Sequence, residues 1–132
     1  MGEPLSRAIA GAGSFADQCH YFALALHDLT GMPLAYVGNR GRDGELLVGH
    51  VAVRVAPGVV ADADGAWEEH ELLSMFGASE AADASRRDVV GSLGGRLSAY
   101  ARGRVSEAGR LLASDPGYVE GLEALAAPAP SP

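Results

Sequence analysis

The order of apolar and polar residues predicts a helix near the start of the chain. In residues 14–29, Phe22, Leu26 and Leu29 recur at helical spacing, so their side chains fall on one stripe. Gly31 follows the stripe directly, and a glycine at this place commonly ends a helix in the left-handed conformation. We therefore expect an entry loop and one amphipathic helix in this segment.

The next segments have the pattern of β-strands. Residues 34–37 form a short apolar run, and residues 46–55 are rich in valine, with three valines on one face. Residues 59–65 follow after the sequence Ala-Pro-Gly at 56–58, which favours a tight turn. These segments predict one strand followed by a β-hairpin.

The second half of the chain has a helical pattern. Residues 66–76 predict one helix, and residues 80–113 predict one or two more, interrupted near 91–96 by glycines. A last helix is expected over 115–125, which opens with aspartate and proline, two residues that suit a helix start. The fold class that follows is α+β, with an N-terminal helix packed on a small antiparallel sheet and further helices at the C-terminus.

Length and composition indicate one folded domain. The chain has 132 residues, of which 48% are apolar, and this is enough for a hydrophobic core. We expect a flexible N-terminus over 1–13, a single domain over 14–125, and a disordered tail over 126–132. Within the domain, residues 14–77 carry the candidate chemistry and residues 78–125 form a helical extension.

Charge and motifs narrow the function classes. The net charge is −7 and all ten basic residues are arginines scattered along the chain, so nucleic-acid binding is not expected. The longest apolar runs are too short to span a membrane, and no signal peptide is seen, which favours a cytoplasmic protein. No nucleotide-binding motif is present, so we expect no nucleotide cofactor.

The single cysteine is the first candidate for chemistry. Cys19 lies in the first turn of the predicted helix, one step upstream on its apolar stripe. Unpaired backbone N–H groups and the helix dipole favour a thiolate there, and the same N–H groups can stabilise an oxyanion. One cysteine excludes an internal disulfide, and a zinc site from Cys19, His20 and His50 lacks the usual ligand spacing, so we expect no metal.

A histidine and two acids follow on the predicted strands. His50 lies on the first strand of the hairpin, and Asp62 and Asp64 lie on the second. Histidine can pair with a thiolate and later protonate a leaving group, while a carboxylate behind it fixes the tautomer. The order cysteine, histidine, aspartate therefore suits a Cys-His-Asp catalytic site. The alternative for Cys19 is a small buried residue on an apolar stripe.

The turn decides which acid faces His50. With a two-residue Pro57-Gly58 loop, Asp62 opposes Val53 and faces away from His50. With a three-residue loop that includes Ala56 and a left-handed Gly58, Asp62 opposes Ala52 and Asp64 opposes His50. We favour the second register because it keeps the valine face apolar. Both acids are then within reach of His50, and the choice between them stays open.

Three further residues complete the predicted site. Gln18 precedes Cys19 and can add an oxyanion donor, and Trp67 can either shield the cleft from water or anchor the core. His20 is turned about 100° around the helix from Cys19, which favours a surface position, with the rim of the cleft as the alternative.

The segments "DQCHYFALALHDLTGMPL" and "GHVAVRVAPGVVADADG", with "EEHELLSMFG" after them, resemble small bacterial proteins of the papain-like/transglutaminase-like cysteine hydrolase superfamily. The resemblance covers roughly residues 13–77. It implies Cys19 as nucleophile, His50 as base and acid, and Asp62 as the orienting group. Papain-like enzymes carry the oxyanion glutamine several residues before the cysteine, whereas Gln18 is adjacent to it.

The resemblance implies thiol-dependent amide or ester chemistry, as in a cysteine protease, amidase, deamidase or acyl transferase. The substrate expected is a peptide, a protein or a small amide. Two alternatives remain open: an inactive member of the fold that serves as a protein-binding or adaptor module, and a delivered effector with deamidase activity.

Overall fold

The computed structural model describes residues 3–127 and contains a short 3-10 helix followed by ten helices and strands. The 3-10 helix is Ala12–Phe15. The α-helices are α1 (Cys19–Thr30), α2 (Glu69–Phe76), α3 (Arg86–Ser92), α4 (Ala99–Ser114) and α5 (Pro116–Ala126). The strands are β1 (Leu34–Arg40), β2 (Leu46–Ala56), β3 (Val59–Asp62), β4 (Gly65–Glu68) and β5 (Glu80–Ala84).

The α+β class predicted from the sequence is confirmed. The five strands form one antiparallel sheet in the order β4-β3-β2-β1-β5, with the long strand β2 at its centre. The helix that carries Cys19 packs against this sheet, and three helices follow at the C-terminus. No helix in residues 3–127 combines the length and the apolar character needed to cross a membrane.

Both faces of β2 are buried, and each face has its own helices. Val51, Val53 and Val55 point into the main core, where β2 contacts α1 and α5. Ala52 points the other way, into a smaller cluster with Leu72 of α2. Alternation along the strand produces these two faces, since successive side chains point to opposite sides of a sheet.

Helix α1 is buried on more than one side. The apolar stripe accounts for Phe22 and Leu26, but Leu24 is fully buried as well, because α4 covers the side of α1 that faces away from the sheet. Leu29 was expected on the buried stripe and is instead 59% exposed, near the end of the helix. Gly31 ends α1 in the left-handed conformation, and its N–H donates to the carbonyl of His27.

The N-terminal segment departs from the expected flexible N-terminus over 1–13. From residue 3 onward it runs along β4, where the N–H of Leu5 donates to the carbonyl of Ala66, and Ile9 is only 2% exposed. The Arg7 guanidinium pairs with Asp115 at the start of α5. The segment is held because it covers the free edge of β4 and adds an apolar side chain to the core.

Two elements differ from the predicted helices. The helix expected over 66–76 begins at Glu69, because Gly65–Glu68 pairs with β3 as a strand. Strand β5, Glu80–Ala84, lies where helix was expected. Its alanines and acids have little preference for strands, and pairing with the edge of β1 decides its conformation. The break between α3 and α4 falls close to the predicted interruption.

The C-terminal predictions have two outcomes. Helix α5 begins at Pro116 behind Asp115, as the sequence predicts. It extends to Ala126, one residue into the segment expected to be a disordered tail. The remainder of that tail, residues 128–132, lies outside the described residues.

Candidate active site

A β-bulge in the hairpin places Asp62 on the same side of the sheet as His50. The paired residues are Ala56–Val59, Arg54–Val60 and Val53–Ala61. Val55 is therefore an extra residue on β2, and continuing the register sets Asp62 opposite Ala52, on the face of His50. The turn has two residues, Pro57 and Gly58, as in the first predicted alternative. Because of the bulge, Asp62 nevertheless opposes Ala52, as predicted for the three-residue loop. Gly58 has a φ of +73°, as expected.

His50 and Asp62 form a buried, hydrogen-bonded pair. The Nε2 atom of His50 lies 2.8 Å from Oδ2 of Asp62, and both side chains are at most 10% exposed. This bond leaves Nδ1 as the ring nitrogen available to Cys19. The Phe76 ring at the end of α2 stacks on the imidazole at 4.1 Å between centroids, with only 14° between the planes. The orientation of His50 is thus fixed at its edge and on one face.

Asp64 has a different role from Asp62. The chain turns after Asp62 to pair it with Gly65, so Asp64 lies in the turn and not opposite His50. The backbone N–H of Asp64 donates to Oδ1 of Asp62 at 2.9 Å. Burial and the neighbouring Asp62 carboxylate raise the pKa of Asp64. Between the two acids left open by the sequence, Asp62 is the one bonded to His50.

Cys19 is the first residue of α1 and lies against β2. Its Sγ atom accepts a hydrogen bond from the N–H of Val51 at 3.4 Å, and Nδ1 of His20 lies 3.9 Å away. Gln18 precedes the helix without capping it through its side chain, so the first backbone N–H groups of α1 are left without that partner. The thiol therefore lies where a thiolate is stabilised by backbone donors and by the helix dipole.

The thiol and imidazole have pKa values that favour an ion pair. Burial on its own would raise the pKa of Cys19, but hydrogen bonds with His20 and His50 outweigh it and lower the pKa to about 6. Burial would likewise lower the pKa of His50, but hydrogen bonds with Asp62 and Cys19 raise it to about 9. Between these values, the thiolate and the imidazolium coexist. Perturbed pairs of this kind are typical of functional sites.

The three side chains open into one cleft of about 340 Å³. Its floor and walls come from the 3-10 helix, the start of α1, the His50 end of β2, and the turn after β3. The lining residues are Ala12, Gly13, Phe15, Ala16, Asp17, Cys19, His20, Phe22, Gly49, His50, Asp62, Ala63, Asp64 and Phe76. A thiolate, an imidazolium and a carboxylate in one partly enclosed cleft can carry out nucleophilic and acid-base chemistry.

Two of the three additional candidate residues do not line the cleft. The Gln18 amide is turned away from the cleft, since Arg104 donates to its oxygen and its nitrogen donates to the Tyr100 hydroxyl. Trp67 lies on β4, where it pairs with Val60 of β3 and packs in the smaller apolar cluster. It does not line the cleft. His20 does line the cleft, which was the alternative to the favoured surface position.

Two contributors have no signal in the sequence pattern. In the sequence, Phe76 has the pattern of an ordinary apolar residue at a helix end. Tyr118 has the pattern of an apolar residue on the buried side of α5. The Tyr118 hydroxyl donates to the backbone carbonyl of Asp62 at 2.6 Å. Burial, followed by the charges of Asp62 and Asp64, raises the pKa of Tyr118 well above its usual range, so the hydroxyl keeps its proton and remains a donor.

We expect Tyr118→Phe to lower the free energy of unfolding by about 1–3 kcal/mol, the usual cost of a buried group that loses its partner. Urea denaturation at neutral pH measures the change. The matched control is Tyr36→Phe, because no hydrogen bond of the Tyr36 hydroxyl is found within residues 3–127; this change should stay within about 0.5 kcal/mol. Equal effects of the two substitutions would contradict a specific role for the bond to Asp62.

No group of three or more histidine, cysteine, aspartate or glutamate side chains in residues 3–127 has an arrangement that could hold a metal ion. The chain matches no protein-family model, no curated protein and no solved structure. The function of the cleft is therefore inferred from its geometry.

Proposed function

We propose that the protein is a thiol-dependent hydrolase or acyl transferase that acts on amides or esters through Cys19, His50 and Asp62. The observation that carries this proposal is the connected set of contacts around His50. Its Nε2 atom is bonded to a buried carboxylate, its ring lines the same cleft as Cys19, and its charge is among the causes that lower the thiol pKa to about 6. The resemblance of residues 13–77 to papain-like and transglutaminase-like hydrolases agrees with this chemistry.

The first half of the reaction forms an acyl-thioester. The Cys19 thiolate attacks the carbonyl carbon, a C–S bond forms, and the C=O π electrons move to the oxygen. When this tetrahedral intermediate collapses, the bond from carbon to the leaving nitrogen or oxygen breaks. The His50 imidazolium gives its Nδ1 proton to the leaving group and becomes neutral. Asp62 is bonded to Nε2 and orients the ring, which leaves Nδ1 for the thiolate and the leaving group.

The second half releases the acyl group. Neutral His50 takes a proton from water or from an amine, and the resulting nucleophile attacks the thioester carbonyl. The C–S bond breaks, the Cys19 thiolate returns, and His50 is again an imidazolium. With water the product is an acid, and with an amine it is a new amide. A deamidase follows the same steps when the leaving group is ammonia.

Covalent labelling tests the proposal without knowledge of the natural substrate. An electrophilic amide-mimic probe should label the wild-type protein at Cys19, should fail to label Cys19→Ala, and should label His50→Ala much more slowly. His70→Ala is the matched histidine control, since His70 is exposed on α2 and lies outside the cleft lining. If Cys19→Ser retains the full biological activity, the protein is an adaptor and the proposal is wrong.

The pH profile of turnover should be bell-shaped. Below about pH 6 the thiol of Cys19 gains a proton and loses its nucleophilicity. Above about pH 9 His50 loses its proton and can no longer protonate a leaving group. We therefore expect kcat/KM for a slow amide or anilide substrate to fall tenfold per pH unit on each side of a plateau between these limits. A single rise near pH 8.5, the ordinary thiol pKa, would contradict an ion pair.

A further inference from the structure

The cleft has few side chains that could donate a hydrogen bond to a developing oxyanion. Its polar lining residues are Asp17, Cys19, His20, His50, Asp62 and Asp64. The acids and the thiolate cannot donate when ionised. Nε2 of His50 is bonded to Asp62, and the proposed reaction uses its other nitrogen as the acid and base. Among the described lining residues, this leaves His20, whose resting partner is the thiolate itself, as the remaining side-chain donor.

The place of His20 suits this task. It is the second residue of α1, so its ring enters the cleft beside the first backbone N–H groups of the helix. Nδ1 of His20 lies 3.9 Å from Sγ of Cys19, and its ring lines the cleft in which a substrate carbonyl would meet the thiolate. Meanwhile Gln18, the usual type of residue for this role, is held on α4 by Arg104.

We infer that His20 is the side-chain oxyanion donor of the proposed acyl transfer, acting together with the backbone N–H at the start of α1. The inference rests on the proposed function and adds a catalytic residue to it. In the resting protein the N–H of His20 faces the negative sulfur. When the thiolate attacks, the negative charge moves from Sγ to an oxygen on the carbon now bonded to Sγ. The His20 donor remains within reach of that oxygen and stabilises it.

The pKa of His20 agrees with this role. Its hydrogen bond with Cys19 raises the pKa of His20, against the effect of burial. A protonated or N–H-bearing ring next to the sulfur is thus favoured before the substrate arrives. A donor that is already oriented costs no rearrangement during the reaction, and this is why such donors have a large effect on rate.

Two reactions of the same thiolate separate an oxyanion donor from a group that only tunes the thiol. Acetylation by p-nitrophenyl acetate passes through an oxyanion, and the p-nitrophenolate burst reports its rate. Alkylation by iodoacetamide displaces iodide from a saturated carbon and forms no oxyanion. In His20→Phe at pH 9, where the thiolate predominates, we expect acetylation to fall about a hundredfold, and alkylation to change less than threefold.

His20→Gln keeps an N–H donor without a titrating ring and should restore at least a tenth of the lost acetylation rate. The alkylation rate of each variant shows that its site is folded, so the ratio of the two rates is the deciding measurement. The inference is overturned if acetylation and alkylation fall in parallel, or if acetylation is unchanged in His20→Phe. Failure of the proposed function would look different: Cys19→Ser would leave the esterase turnover of the wild-type protein unchanged.

Discussion

Replacing His50 with alanine is expected to move the pH midpoint of Cys19 alkylation from near 6 up by about two units. The His50 hydrogen bond and charge are among the causes that hold the pKa of Cys19 near 6. Without them, burial of the thiol is opposed only by His20 and by the N–H of Val51, and the pKa returns toward the ordinary thiol value of about 8.5. Iodoacetamide rates from pH 5 to pH 10 measure this shift.

In His50→Ala, the turnover of an amide or ester should fall by a larger factor than the rate of Cys19 alkylation. His50 is both the acid for the leaving group and the base for the incoming water, and loss of such a group costs about 10²–10⁴-fold. His50→Gln preserves most of the volume beside Phe76 and separates loss of chemistry from loss of packing. His70→Ala should leave the midpoint and the turnover unchanged. An alkylation midpoint that stays near its wild-type value in His50→Ala would refute the ion pair.

Asp62→Ala is expected to lower acyl transfer at pH 8 about a hundredfold, whereas Asp64→Ala should change it less than threefold. Asp62 supplies the carboxylate that accepts from Nε2 of His50, and the pKa of His50 is about 9 partly because of that bond. Without it the pKa of His50 falls toward its usual value of about 6.5, so the imidazolium is scarce at pH 8. The upper limit of the pH profile should fall by about two units.

Asp64 is a suitable control for Asp62 because the two acids are only two positions apart. Asp62 contacts His50 through its side chain, whereas Asp64 contacts Asp62 through its backbone N–H. Asp64 supports Asp62 through its backbone N–H, and alanine preserves that group. Asp62→Asn removes the charge and offers an amide N–H that holds His50 in the wrong tautomer, so its turnover should fall at least as far as that of Asp62→Ala. Equal losses in Asp62→Ala and Asp64→Ala, measured from pH 5 to pH 10, would show that the hydrogen-bonded carboxylate has no special role.

The sequence predicts those parts of the candidate site that depend on residues close together along the chain. A cysteine in the first turn of an apolar helix and a histidine in a valine-rich strand can be located by periodicity alone. The choice of Asp62 over Asp64 could not be made in this way. It depends on the bulge at Val55 and on the turn that follows Asp62, and a shift of one residue reverses every side chain along a strand.

Other parts of the site depend on elements that are distant along the chain. Gln18 was predicted as an oxyanion donor because it is adjacent to Cys19, but Arg104 on α4 binds its amide and turns it away from the cleft. Phe76 and Tyr118 meet His50 and Asp62 only because α2 and α5 pack onto the sheet. Strand β5 forms because the edge of β1 needs hydrogen-bond partners, whatever the propensity of its own residues.

By itself, the sequence determined the α+β class, the helix that presents Cys19 and the hairpin that carries His50. These features follow from short-range periodicity and from turn residues, which act within a few positions of the chain. Only the tertiary structure decided that Asp62 is the partner of His50, that His20 enters the cleft while Gln18 leaves it, and that the N-terminal segment is packed. Those outcomes depend on register and on contacts between distant elements, because hydrogen bonds and burial there compete across the whole domain.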